Sequence, residues 1–84
     1  MAYLIKVRKM KTLWGSCNRR RVIITLNYIL YKAKQPCKEY VMLHELAHFI
    51  YAGHIREFYA FLSAHMPGCK ERKKILDYEV DLGV

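Results

Sequence analysis

His44-Glu45-Leu46-Ala47-His48 is the stretch on which the reading of this chain turns. Two histidines four apart share one face of a helix, because 3.6 residues per turn nearly superimposes them. Such a pair holds one metal ion, and a glutamate between them is the usual general base of a zinc-dependent hydrolase. His54, ten residues after His44 and just past Gly53, supplies a third ligand. Three protein ligands leave a position open for water, whereas structural zinc sites are closed by four. The residues therefore point to hydrolysis, with peptides as the first substrate class. If the helix simply continued, His54 would lie about 15 Å along its axis and about 80° away from His44. A left-handed turn at Gly53 is expected to bring it back beneath the metal. Glu57 and His65 are the rival third ligands, and His65 reads more readily as a core or capping histidine.

Working outward, Pro36 suits the first turn of a helix over about 36–52, with Leu43, Leu46, Ala47 and Ile50 as its core stripe. His44 and His48 then flank that stripe, with Tyr40 and Tyr51 beside them and Glu45 on the side away from the core. Upstream, residues 3–10 alternate as a half-buried strand with Tyr3, Ile5 and Val7 on one side, and 21–26 form a second β-branched run. Trp14-Gly15-Ser16-Cys17-Asn18 between them reads as a turn or bulge. An antiparallel hairpin or three short strands would fit. Asn27 suits the N-cap of a short helix over about 28–33. Downstream, Phe58, Phe61, Leu62 and His65 form the stripe of a third helix, stopped by Met66-Pro67-Gly68. A last helix over about 69–81 is expected to bury Ile75, Tyr78 and Leu82. The fold class is α+β: a short antiparallel hairpin or small sheet, then three to four helices.

The 84 residues suit one domain, and at this size a bound metal would help the fold. A hydrophobic share of 54% excludes a disordered chain. No apolar run approaches about 18 residues, so no membrane partner is expected. Cys17, Cys37 and Cys69 lack paired metal spacing and suit reduced thiols in a cytoplasm. The net charge of +8, clustered at Arg19-Arg20-Arg21 and Lys70–Lys74, reads first as a solvated face, and as its alternative a surface for anionic partners, nucleotides or nucleic acid among them.

Met10-Lys11-Thr12-Leu13-Trp14-Gly15-Ser16-Cys17, then Leu26-Asn27, then the His44–His48 motif with His54 and Phe58, resembles the YgjP-like metallopeptidase domain. That family is related to the SprT-like and gluzincin-type zincins. The resemblance spans roughly residues 5–76. It implies a minimal zincin-like core, one zinc ion held by His44, His48 and His54, and Glu45 as catalytic acid/base. Leu13 and Ile55 stand where the family usually has arginine and serine. Members commonly carry further N-terminal strands, so residues 1–84 are read as one zincin-like domain, either the C-terminal half of a longer member or a reduced version that keeps only the site.

Zinc on three imidazoles would lower the pKa of water to about 7, and Glu45 would pass its proton to the leaving amine. Tyr51, or Tyr40, would steady the oxyanion. Trp14, Gly15, Ser16 and Cys17 are the candidate substrate-binding residues, on an edge strand that pairs with an extended peptide. Cys17 as a fourth ligand would close the site and make the zinc structural. The resemblance implies an alternative, hydrolysis of nucleoside triphosphates such as UTP to the monophosphate and pyrophosphate. A non-catalytic basic zinc module associated with nucleic acid is the second alternative.

Overall fold

The β-branched run after the arginines pairs on both sides. The computed structural model describes residues 2–79 and contains three strands, β1 (Leu4–Arg8), β2 (Gly15–Asn18) and β3 (Ile23–Asn27). Their order is β1-β3-β2, with β1 parallel and β2 antiparallel to β3. Trp14–Asn18 is thus no mere turn, because Gly15–Asn18 is an edge strand paired with Leu26–Ile23. The reversal falls at residues 19–22, where Arg21 N–H donates to Asn18 Oδ1 (3.0 Å) and Val22 takes φ 58°. A β-branched side chain at that angle is strained.

All five residues of β1 are exposed, against the expected half-buried strand. The physical reason is position: β1 is the far edge, while the helical layer packs over β2 and β3. Period-two alternation records that a segment is a strand, not that its face is covered.

Asn27 performs the expected cap and more. Its Oδ1 accepts from Ile29 N–H (3.2 Å), opening a 3₁₀ helix, Tyr28–Lys32. Its Nδ2 donates to the carbonyls of Met10 (2.8 Å) and Leu13 (2.9 Å). The side chain is 1% exposed, so the β1–β2 connection is tied to the start of the helical layer through one buried amide.

Three helices follow: α1 (Gln35–Ala47), α2 (Arg56–His65) and α3 (Cys69–Glu79). α1 ends five residues before the expected boundary. His48, Phe49 and Ile50 N–H groups bond three residues back, tightening the last turn. The His48 imidazole also meets the Tyr51 carbonyl (3.0 Å), which holds the turn that follows the helix. Gly53 supplies no left-handed angle, because the helix has already ended. Among the described residues, the left-handed glycine is Gly68 (φ 85°), between α2 and α3.

The buried stripe of α1 is Cys37, Tyr40, Val41 and Ala47, with Glu45 also buried. Leu43 and Leu46 are half-buried, and Ile50 is exposed. The expected stripe was rotated because α1 is covered from two sides, by β2 and β3 and by α2 and α3. Phe58 and Leu62 complete the core from α2 and Leu76 from α3, where Leu76 rather than Ile75 turns inward. The expected burial of Tyr78 and Leu82 concerns side chains outside the described residues. Among the described residues, no helix is long and apolar enough to cross a membrane.

Candidate active site

α1 presents His44 and His48 one turn apart, and the tight exit from the helix returns the chain so that His54 faces them. His44 Nε2 and His54 Nε2 stand 3.2 Å apart, and the ligand atoms of all three histidines lie within 4.8 Å of one another. Two nitrogens on a tetrahedral zinc at 2.0–2.1 Å are separated by about 3.3 Å, so the donor set fits such an ion. Glu57 is exposed, and His65 is also exposed, with its Nδ1 bonded to the Phe61 carbonyl of its own helix (3.0 Å). Neither joins the cluster.

Two of the remaining ring nitrogens, on His44 and His48, are engaged. A carbonyl can only accept, so His48 Nδ1 carries the proton it donates to Tyr51 O, which leaves Nε2 for a metal. His44 Nδ1 faces the Tyr40 hydroxyl at 3.4 Å. Tyr51 therefore contributes its backbone carbonyl, while its ring packs on Phe61 (centroids 6.2 Å). Phe58, fully buried, lies under all three imidazoles, at centroid distances of 5.0 Å to His44, 4.6 Å to His48 and 5.1 Å to His54. Sequence periodicity identified Phe58 as a core residue but not as the floor of the site.

Glu45 is 6% exposed, on the side of α1 that the sheet covers. Gly15 permits that approach: a Cβ there would stand 3.2 Å from Glu45 Cγ and 3.1 Å from the Thr25 carbonyl. Burial pushes the Glu45 carboxyl up to about 7. Burial, and then the neighbouring His48, His54 and Lys73, hold the His44 imidazole down at about 4, so it is neutral and ready to ligate. Cys17 lines the cleft beside these groups, and burial and Glu45 raise its thiol pKa.

Two clefts of about 320 and 270 Å³ meet at His44, Glu45 and His54. The first runs beside Thr12, Trp14 and Tyr40, and the second beside Ser16 and Cys17. Trp14, Gly15, Ser16 and Cys17 are therefore all brought to the site. Sequence reasoning did not single out Lys73, which lines the first cleft, or Arg19, which lines the second; both were visible only as members of charge clusters.

The profile of the YgjP-like, metallopeptidase domain family matches residues 2–79. The chain belongs to this family. The YgjP-like fold is also shared with the crystal structure of the metallopeptidase zymogen of Pyrococcus abyssi abylysin. The TM-score is 0.80 at 22% identity, over 90% of this chain and 77% of that one. No curated protein matches. Family and fold make this YgjP-like domain a metallopeptidase-type hydrolase with a three-histidine cluster suited to a metal ion.

Proposed function

We propose that this YgjP-like domain is a zinc-dependent peptidase in which His44, His48 and His54 hold the metal and Glu45 is the general base. The observation that carries this reading is the convergence of three imidazoles beside a buried glutamate, at the meeting of two clefts and next to the edge strand β2. When bound, zinc would supply Lewis acidity that activates water and polarises the carbonyl. Glu45 takes the proton of the attacking water and returns it to the leaving amine, a role suited to a carboxyl poised near 7. Phe58 fixes the imidazoles from below, and Tyr51 O and Tyr40 Oη orient two of them. β2 offers main-chain groups along its outer edge to an extended polypeptide.

The test pairs metal analysis with turnover. His54→Ala should lose most of its zinc, because three ligands bind as a unit. Glu45→Gln should keep zinc and lose hydrolysis of an unstructured protein such as casein by at least about a hundredfold. Full zinc retention in His54→Ala, or activity within a few-fold in Glu45→Gln, would refute the assignment. The cations Arg19 and Lys73 would also suit a triphosphate, so UTP is the control substrate. Pyrophosphate release with casein left intact would decide for the nucleotide reading.

A further inference from the structure

The two clefts share Leu13, Gly15, His44, Glu45 and His54, so they form one trough across the site. Each half carries one permanent cation: Lys73 on α3 beside Trp14 and Tyr40, and Arg19 past Cys17 at the end of β2. Among the described residues, Glu45 is the one acidic group lining either half. On the same helix Arg72 bonds the Pro36 carbonyl (3.2 Å) and Glu39 (3.3 Å), and Lys73 lines the trough. Resting on the peptidase reading, we propose that this trough selects polypeptides with carboxylates on both sides of the scissile bond. Lys73 receives the one on the C-terminal side and Arg19 the one on the N-terminal side.

The direction follows from β2, which runs from Gly15, beside Glu45, towards Arg19. A substrate strand pairing antiparallel with it, the slightly stronger arrangement, lays its N-terminal part near Arg19 and its C-terminal part near Lys73. Arg19 lies four positions beyond Gly15, about 13 Å along a strand. Allowing for the arginine's length, its carboxylate sits roughly two to four residues before the cleaved bond. Lys73 lines the half beside Trp14, one position before Gly15, so its carboxylate sits roughly one or two residues after that bond. An exposed cation gives a modest, salt-sensitive preference rather than an absolute one.

The experiment uses the zinc-loaded full chain and a matched set of unstructured peptides carrying Glu, Gln or Lys at the third position before and the second after one cleavable bond. kcat/KM should favour Glu over Gln about three- to fivefold on each side at low salt, and added salt should erase the difference. Lys73→Gln should remove the C-terminal preference alone, Arg19→Gln the N-terminal preference alone, and Lys73→Glu should turn the C-terminal preference towards Lys. Zinc content serves as the folding check for each variant. Cleavage that is indifferent to peptide charge, preferences untouched by both substitutions, or preferences on exchanged sides would overturn the proposal and leave the peptidase reading standing. Binding to zinc-loaded Glu45→Gln is measured in parallel. Selective binding of the Glu peptides with no cleavage by the unmodified chain would support the trough's selectivity and remove the peptidase reading instead.

Discussion

At the scale of single residues, the site places a carboxyl and an imidazole with opposite shifts side by side in sequence. Glu45 titrates near 7 against an ordinary 4.5 because it is buried. A carboxyl raised in the folded state contributes stability that is full below pH 4.5 and lost as pH rises through about 7. In the presence of a chelator, Glu45→Gln should therefore match the parent chain near pH 4.5 and melt progressively higher than it as pH rises towards 8. A constant offset across that range, in melting curves taken at several pH values, would contradict the burial of Glu45. His44 runs the other way. Held at about 4 against 6.5, mainly by burial, it costs stability as pH falls through that interval in both proteins, so it leaves the difference unchanged. The grouping of His44 with His48 was legible because helical spacing alone sets them on one side. The burial of Glu45 was not, because it comes from a strand some thirty residues earlier in the chain.

Among the elements, β2 shows why one glycine was readable as an exception but not as a close contact. Gly15 suggested a turn, yet it lies within a paired strand, where glycine marks the approach of another part of the chain. Gly15→Ala would press a methyl against the Thr25 carbonyl and the Glu45 side chain. The backbone carbonyl is fixed by the sheet, so Glu45 and α1 must give way. Stability should fall by about 1–3 kcal/mol, and turnover should drop while zinc is retained. Thermal melts beside metal analysis would check this, and an unchanged melting temperature would mean that β2 and α1 are further apart. The buried face of α1 differs from the expected stripe for a related reason. Its apolar periodicity was read against one covering layer, whereas two layers bury Tyr40 and Glu45 and leave Ile50 at the surface.

For the molecule as a whole, a metal would hold α1 to the segment that leads into α2, since His44 and His48 come from one and His54 from the other. In so short a chain that tie is a large share of the stability. A metal present at about a thousand times its dissociation constant adds about 4 kcal/mol, so chelation should lower the melting temperature by about 15 °C or more. Calorimetry with and without chelator would measure it, and a shift under about 2 °C would show the site too weak to act as a clamp. The α+β class and the presence of three helices were legible from periodicity and breakers. The parallel pairing of β1 with β3 was not, because alternation is the same in parallel and antiparallel strands. The buried amide of Asn27 gathers this architecture at one point, with both of its hydrogens on the carbonyls of Met10 and Leu13 and its oxygen on Ile29 N–H. Deamidation would alter neither its size nor its shape, but would exchange the donating nitrogen for an acceptor facing two carbonyl oxygens. The hydrolysis of that single amide would therefore loosen the loop that carries Trp14 to the cleft.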